Sequence, residues 1–313
     1  MASTSKEPLV SVLIPTYNRP QYLELALQSV IRQTYPNIEI IISDDSTDIR
    51  TETLVTPYLK RYPNIIYQRN SVTLGQFDND LKLIKMANGN YVNFLMDDDL
   101  FHPSKIERMV YYLENDYSVK LVTSHRQPID GNGGFLDGWQ PAFKQDTILD
   151  GSVMARLMLV NNYNFIGEPT TVLFRRDDLS EPVGVFEGRR YGCNVDQATW
   201  YGLLRNGKGV YLSDTLSYWR RHSGQQLHSL LMTILGAADY AHAIMVSPRV
   251  GFLSEETREF QLAVEKCIAY IGQVREQIGA ARESDDLLKA ILELKTFTLK
   301  LLDVYKETYG KAW

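Results

Sequence analysis

Asp97-Asp98-Asp99 is the densest concentration of chemistry in the chain, three carboxylates directly after the apolar run Tyr91-Val92-Asn93-Phe94-Leu95-Met96. Charge packed so closely repels itself and resists burial unless a cation neutralises it. At the end of a strand leaving the core, such a cluster suits a divalent metal and the phosphates that accompany one. Its plain alternative is a solvated acidic turn. Two other polar clusters bear on the choice, Thr16-Tyr17-Asn18-Arg19 and Asp44-Asp45-Ser46, each of which also follows an apolar, β-branched run. Farther along stand Glu168, Asp196 and the cationic group Arg220-Arg221-His222.

Positioning these groups falls to an alternation of strands and helices. Val10-Ser11-Val12-Leu13-Ile14 reads as a strand stopped at Pro15. Residues 22–34 carry Leu23, Ala26, Leu27, Val30 and Ile31 at helical spacing. A second strand is expected over 38–43, a helix over 51–62, a strand over 65–67, a helix over 77–87 and a strand over 91–96. Such repetition predicts an α/β fold with a mostly parallel sheet flanked by helices, whose ligands bind beyond the carboxyl ends of the strands. All three polar clusters fall at that rim. Residues 131–150 read as a glycine- and aromatic-rich loop, 171–175 as a short strand and Val195–Leu204 as a helix. From about Gln226 onward the pattern becomes helical. Residues 255–278 set Phe260, Val264, Cys267, Ile268, Ile271, Val274 and Ile278 on one face, and 285–309 do the same with Leu288, Ile291, Leu294, Phe297 and Leu301. These two helices are expected to pair with each other or with a second subunit.

At 313 residues, 44% hydrophobic and 23% charged, the chain can bury a sizeable core. A net charge of −5 without a long basic stretch argues against nucleic-acid binding. Two isolated cysteines, Cys193 and Cys267, suggest neither a zinc site nor a disulfide framework. No secretory leader and no run of eighteen apolar residues is seen, so a cytoplasmic protein is expected.

The opening Val10-Ser11-Val12-Leu13-Ile14-Pro15-Thr16-Tyr17-Asn18-Arg19 and the stretch from Gln33-Thr34-Tyr35-Pro36-Asn37 to Ser43-Asp44-Asp45-Ser46 resemble family 2 glycosyltransferases. The acid cluster falls where that family carries its DXD motif, and Tyr218-Trp219-Arg220-Arg221-His222 resembles a later one. Each motif alone is weak; four in order are specific. The resemblance covers roughly the first seven-tenths of the chain. It implies a GT-A, Rossmann-like fold over residues 1–225, with a nucleotide half at about 9–130 and an acceptor half at about 131–225. Residues 226–313 form a helical extension.

The resemblance further implies an inverting, metal-dependent transfer of a hexose from a UDP-sugar to a hydroxyl on a glycan, lipid-linked or glycoprotein acceptor. Pro15, Thr16, Tyr17, Asn18 and Arg19 would line the nucleotide-sugar, with Tyr17 stacking on the base. Asp44 or Asp45 would accept from the uracil N–H, one of them alternatively capping the next segment. Asp97 and Asp98 join that group, although alternation along a strand turns Asp98 away. By the DXD pattern Asp99 would hold Mn2+ or Mg2+, with His222 as a further ligand or phosphate donor. The general base would be Asp196, 97 residues after Asp99, where the family usually has Glu-Asp and this chain has Val195-Asp196. Read without the resemblance, Asp196 is a first-turn aspartate facing a helix dipole. Glu168 is the second choice of base, and Glu168 and Trp200 would line the acceptor or sugar pocket. Asp78 departs from the basic residue that many relatives carry. A nucleotidyltransferase would need a glycine-rich basic loop after the first strand, which Thr16-Tyr17-Asn18-Arg19 does not supply. A module that only binds sugar nucleotides would not need Asp196. The C-terminal helices are left to acceptor choice, a homo-oligomer contact or docking at the inner membrane face.

Overall fold

The computed structural model describes residues 7–222, 229–278 and 284–310, and the expected boundary near residue 225 lies outside them. In chain order the first elements are β1 (Val10–Thr16), α1 (Pro20–Ile31), β2 (Ile38–Asp44), α2 (Arg50–Arg61), β3 (Ile65–Arg69), α3 (Gln76–Met86) and β4 (Tyr91–Phe94). There follow β5 (Leu100–Phe101), α4 (Lys105–Asn115), β6 (Val119–Ile129), β7 (Thr147–Asp150), α5 (Gly151–Asn161) and β8 (Leu173–Arg175). The last are β9 (Val185–Phe186), β10 (Arg189–Arg190), α6 (Val195–Leu204), β11 (Lys208–Arg220), α7 (Leu230–Val246), α8 (Arg258–Ile278) and α9 (Asp285–Tyr309). They form two compact units. One holds Met1–Leu149, Ile166–Val183 and Gly207–His222; the other holds Asp150–Phe165, Gly184–Asn206 and Ser223–Trp313.

In the first unit the sheet runs β3-β2-β1-β4-β8-β6-β11-β5, with β7 beside β11. β1 pairs parallel with β2, Val10 opposite Ile38 and Thr16 opposite Asp44, and parallel with β4, Leu13 opposite Phe94. Continuous runs of Val, Ile and Leu suit strands covered on both faces, and every residue of β1 and β2 is buried. β8 is antiparallel to β4 and β6, so the sheet is mixed but mostly parallel, as expected. α1 starts at Pro20, a residue suited to the first helical position, and buries Leu23, Ala26, Leu27 and Val30 in the unit's core. Because β1, β2 and β4 are parallel, their carboxyl ends share one edge. That edge carries Thr16, Asp44 and the acid turn.

The second unit is helical. α7 packs against both α8 and α9; α9 buries Leu287, Ala290, Leu294, Leu301 and Tyr305, whereas Leu288, expected on its apolar face, is exposed. α8 buries Phe260, Ala263, Val264, Cys267, Ile271 and Val274. α7 itself shows no amphipathic period, because it is buried along most of its length from Ile234 to Ile244; a helix apolar all round is a core helix. α4 and α5 also lie outside the expected elements, and residues 147–150 of the expected loop form β7. Among the described residues no helix is long and apolar enough to cross a membrane.

Candidate functional site

β4 ends at Phe94, and Asp97 and Asp98 form a turn. Strand alternation therefore does not reach them, which corrects the expectation that Asp98 points away. Asp98 is the centre of the cluster. Its Oδ2 accepts from Arg19 Nη1 at 2.7 Å and lies 2.9 Å from His222 Nε2. Arg19 Nη2 reaches Asp97 Oδ1 at 2.9 Å, so one guanidinium spans two carboxylates. Asp97 Oδ2 accepts from Thr16 Oγ1 at 2.8 Å and from the Tyr17 amide at 3.3 Å, tying the turn to the end of β1. Burial pushes the Asp97 carboxyl up to about 7, and Arg19 opposes that rise.

Asp99 faces the opposite way. Its Oδ2 accepts from Thr170 Oγ1 at 2.6 Å and its Oδ1 from the Arg220 amide at 2.9 Å. It is 1% exposed, and burial, with Asp98 alongside, raises its carboxyl well above the ordinary range. Both Asp99 oxygens thus accept hydrogen bonds within the protein, while Arg19 and His222 both meet Asp98 at Oδ2. Among the described residues no three His, Cys, Asp or Glu side chains close on one point. Two protein donors of this kind fit a hard cation that completes its shell with phosphate oxygens and water.

Arg220 supports the turn from behind. Its Nε donates to the Asp98 carbonyl at 2.7 Å and its Nη1 to the Asp130 carbonyl at 3.0 Å, and its guanidinium lies 5.0 Å from the Tyr22 ring. Thr170 sits in the 3-10 turn Pro169–Thr171, and buried Lys105 donates to the Thr171 carbonyl at 2.8 Å. Burial pushes the Lys105 ammonium well below its usual range. Thr170 and Lys105 were missed by sequence reading. Thr170 stands two residues after the candidate Glu168, and the only signal for Lys105 was its place on the apolar face of α4.

In the loop after β1, Tyr17 is 47% exposed, an aromatic face open to solvent. Asn18 takes a left-handed φ of 55°, which asparagine tolerates. Its Oδ1 accepts from the Thr47 amide at 2.9 Å, bracing the loop after β1 against the loop after β2. Pro15 and Thr16 are buried at the end of β1. Asp44 is fully buried and accepts from Tyr67 Oη at 2.6 Å and the Ser46 amide at 2.8 Å. Asp45 Oδ2 accepts from the Leu74 and Gly75 amides at 3.1 and 2.9 Å, and Asp45 also pairs with Asn70. Asp45 thus fastens the loop that leads into α3, where Gly75 has φ 80°.

Asp80 on α3 is 4% exposed, and its Oδ1 has no hydrogen-bond partner among the described residues. Burial foremost, and the charge of Asp45, raise its carboxyl to about 8. Between the ordinary carboxylate range and pH 8 the unfolded chain releases this proton and the folded chain keeps it. Stability therefore falls as pH rises through that window, by up to about 1.4 kcal/mol per pH unit. Asp80→Asn should cancel the effect. Urea unfolding at pH 5 and pH 8 should show the variant gaining at least about 2 kcal/mol on the parent across that interval; parallel pH profiles would contradict the burial argument.

Glu168, in the first unit, is held by Arg126 at 2.6 Å. Asp196 belongs to the second unit, in the first turn of α6. Its Oδ2 accepts from Asn164 Nδ2 at 2.8 Å and its Oδ1 from the Gln197 amide at 2.8 Å, so the carboxylate is half-buried and fixed in orientation. Trp200 is 2% exposed on the same helix. The structure makes it a packing residue rather than an open pocket wall, because one turn on from Asp196 the helix has turned inward.

The sequence pattern of glycosyl transferase family 2 matches residues 11–181. A glycosyltransferase from Rickettsia typhi is 35% identical over 235 residues, covering 74% of this chain and 70% of its own. A Methanocaldococcus jannaschii glycosyltransferase is 32% identical over 143 residues, 45% of this chain, which spans about half that relative's length (49%). Among solved structures, TarS 1-349 of S. aureus in complex with UDP-GlcNAc aligns with a TM-score of 0.60 at 19% identity, covering 96% of this chain and 92% of that one. A Pyrobaculum calidifontis mannosyltransferase in complex with GDP-Man and Mn2+ aligns at 0.55 and 17%, covering 98% and 89%. Those two likenesses concern the fold, which is GT-A. By its sequence match and its Rickettsia relative, the chain belongs to glycosyl transferase family 2 and is a glycosyltransferase.

Proposed function

We propose that the protein is an inverting, metal-dependent hexosyltransferase that takes its sugar from a UDP-sugar and delivers it to a hydroxyl of a glycan, lipid-linked or glycoprotein acceptor. Its catalytic domain would span about residues 1–225. The observation that carries the reading is the meeting of Asp98 and His222 at 2.9 Å beyond the carboxyl end of β4, next to the exposed Tyr17. Asp98 and His222 would hold Mn2+ or Mg2+. When bound, the cation offsets negative charge on the departing nucleoside diphosphate. Arg19 neutralises the acids of the turn, Asp99 with Thr170 and the Arg220 amide fixes the turn's shape, and Tyr17 offers a face to the base. Asp196 takes the proton from the acceptor hydroxyl as that oxygen attacks the anomeric carbon. Support comes from the UDP-GlcNAc and the GDP-Man with Mn2+ named for the two aligned structures.

A screen of nucleoside-diphosphate release across UDP-sugars, with GDP-mannose as comparison, tests the reading with and without Mn2+. Release of UDP stimulated at least tenfold by Mn2+ is expected for one donor. Absence of release from every donor, metal or not, would overturn the proposal, and pyrophosphate release from a nucleoside triphosphate would point to nucleotidyl transfer instead.

A further inference from the structure

Asp239 lies in the middle of α7, is fully buried, and belongs to none of the motifs considered so far. Three consecutive backbone amides converge on its carboxylate. Gly192 donates to Oδ1 at 3.2 Å, and Cys193 and Asn194 both donate to Oδ2 at 2.9 Å. Asn194 also donates through Nδ2 to the Gly236 carbonyl at 3.2 Å, three residues earlier on the same face of α7. The loop therefore lies flat on that face. Two glycines make the approach close: a Cβ on Gly192 would stand 3.0 Å from the Leu235 side chain, and one on Gly236 would stand 3.4 Å from Cys193 Sγ. The buried charge of Asp239 is balanced by Arg189, whose Nη1 reaches Oδ1 at 2.6 Å and whose Nε reaches Glu293 of α9 at 2.8 Å. The same guanidinium lies over the Tyr191 and Phe297 rings.

Asn194 is the residue from which α6 starts, and Asp196 is in the helix's first turn. We propose that Asp239 is a positioning residue for Asp196: it clamps the Gly192–Cys193–Asn194 loop and so fixes where α6 begins and where the Asp196 carboxylate is held. The inference rests on the reading of Asp196 as the base. It also gives the C-terminal helices a role, since α7 supplies the clamp and α9 the acid that steadies Arg189. A full carboxylate is required, because one side must serve Arg189 and Gly192 while the other serves two amides. An asparagine has a single acceptor oxygen. Truncating the charge leaves amides and a guanidinium in search of partners.

The test compares Asp239→Asn, Asp196→Asn and the double variant in the full-length protein. Turnover is read by UDP release, donor-site integrity by calorimetric binding of UDP with Mn2+, and loop order by amide hydrogen exchange of a peptide spanning residues 192–194. Peptides from α8 serve as the measure of global opening. Expected for Asp239→Asn is a tenfold to hundredfold fall in kcat, on the order of what a small misplacement of a reacting group causes. UDP affinity should be unchanged within about twofold, and exchange should accelerate at 192–194 but not in α8. On the Asp196→Asn background the same change should cause no further fall, since a misplaced base that is already absent costs nothing more. An Asp239→Asn protein with parent turnover, or one whose loss adds fully to that of Asp196→Asn, would overturn the proposal. If Asp239→Asn accelerates exchange in α8 as well, Arg189→Lys is read in its place. That variant keeps the charge but not the two-armed grip, and unchanged kcat and unchanged 192–194 exchange would equally overturn it. Failure of the base reading itself shows separately, as full turnover in Asp196→Asn alone.

Discussion

Asp196→Asn is expected to lower kcat by about 10²- to 10⁴-fold, the usual worth of a positioned general base, while UDP binds as it does to the parent. The substitution is nearly isosteric. An asparagine at this place can still accept one of the hydrogen bonds now made by Asn164 and the Gln197 amide, so a loss of turnover would not reflect a collapsed α6. What disappears is the proton acceptor. UDP release under saturating donor, with calorimetry for UDP, separates the two effects. Turnover that survives Asp196→Asn and falls in Glu168→Gln would transfer the role to Glu168. The structure gives that residue a poorer start, because Arg126 at 2.6 Å already occupies its carboxylate.

The acid turn carries the second large effect, and here the three aspartates should part company. Asp98→Asn and His222→Asn are each expected to remove most of the metal stimulation, lowering kcat by roughly 10²- to 10³-fold, as loss of a principal electrostatic stabiliser does. Both should weaken Mn2+ binding measured by calorimetry in the presence of UDP. Asp99→Asn should have the smaller effect on Mn2+ affinity. Its two oxygens serve Thr170 and the Arg220 amide, and burial already disfavours its charged form, so a neutral amide replaces it at less cost. If Asp99→Asn abolishes Mn2+ binding and Asp98→Asn leaves it intact, the ligand assignment returns to the simple DXD spacing.

Much of this site could be read along the chain because it is built from the ends of parallel strands. Val10-Ser11-Val12-Leu13-Ile14 and the run from Ile38 to Ser43 announce buried strands by composition alone, and their polar successors had to emerge on one edge once the pairing was parallel. The helix read over Val195–Leu204 is α6 with the same bounds. The orientation of Asp98 could not be read so, since period-two reasoning holds only while the backbone stays extended, and β4 stops two residues short of the turn. Trp200 was misread because an aromatic next to a candidate base looks like a pocket wall until its burial is known. Asp239 left no local trace at all. Its meaning depends on amides of residues 192–194, which only tertiary contact brings to α7.

Those same long reaches have a consequence in time. The acid turn takes its partners from 81 residues upstream at Thr16, and from 71, 121 and 124 residues downstream at Thr170, Arg220 and His222. Contacts so distant along the chain form late, after the entropy of closing large loops has been met. On the ribosome the strands from β1 to β4 emerge long before β11, so nascent Asp98 can be neutralised by Arg19 but must wait for His222. A chain stopped short of residue 220 would retain the sequence of the parallel half of the sheet without the means to finish its rim. The acid turn should therefore be completed abruptly during synthesis, when β11 docks beside β6, rather than growing in step with the folded length.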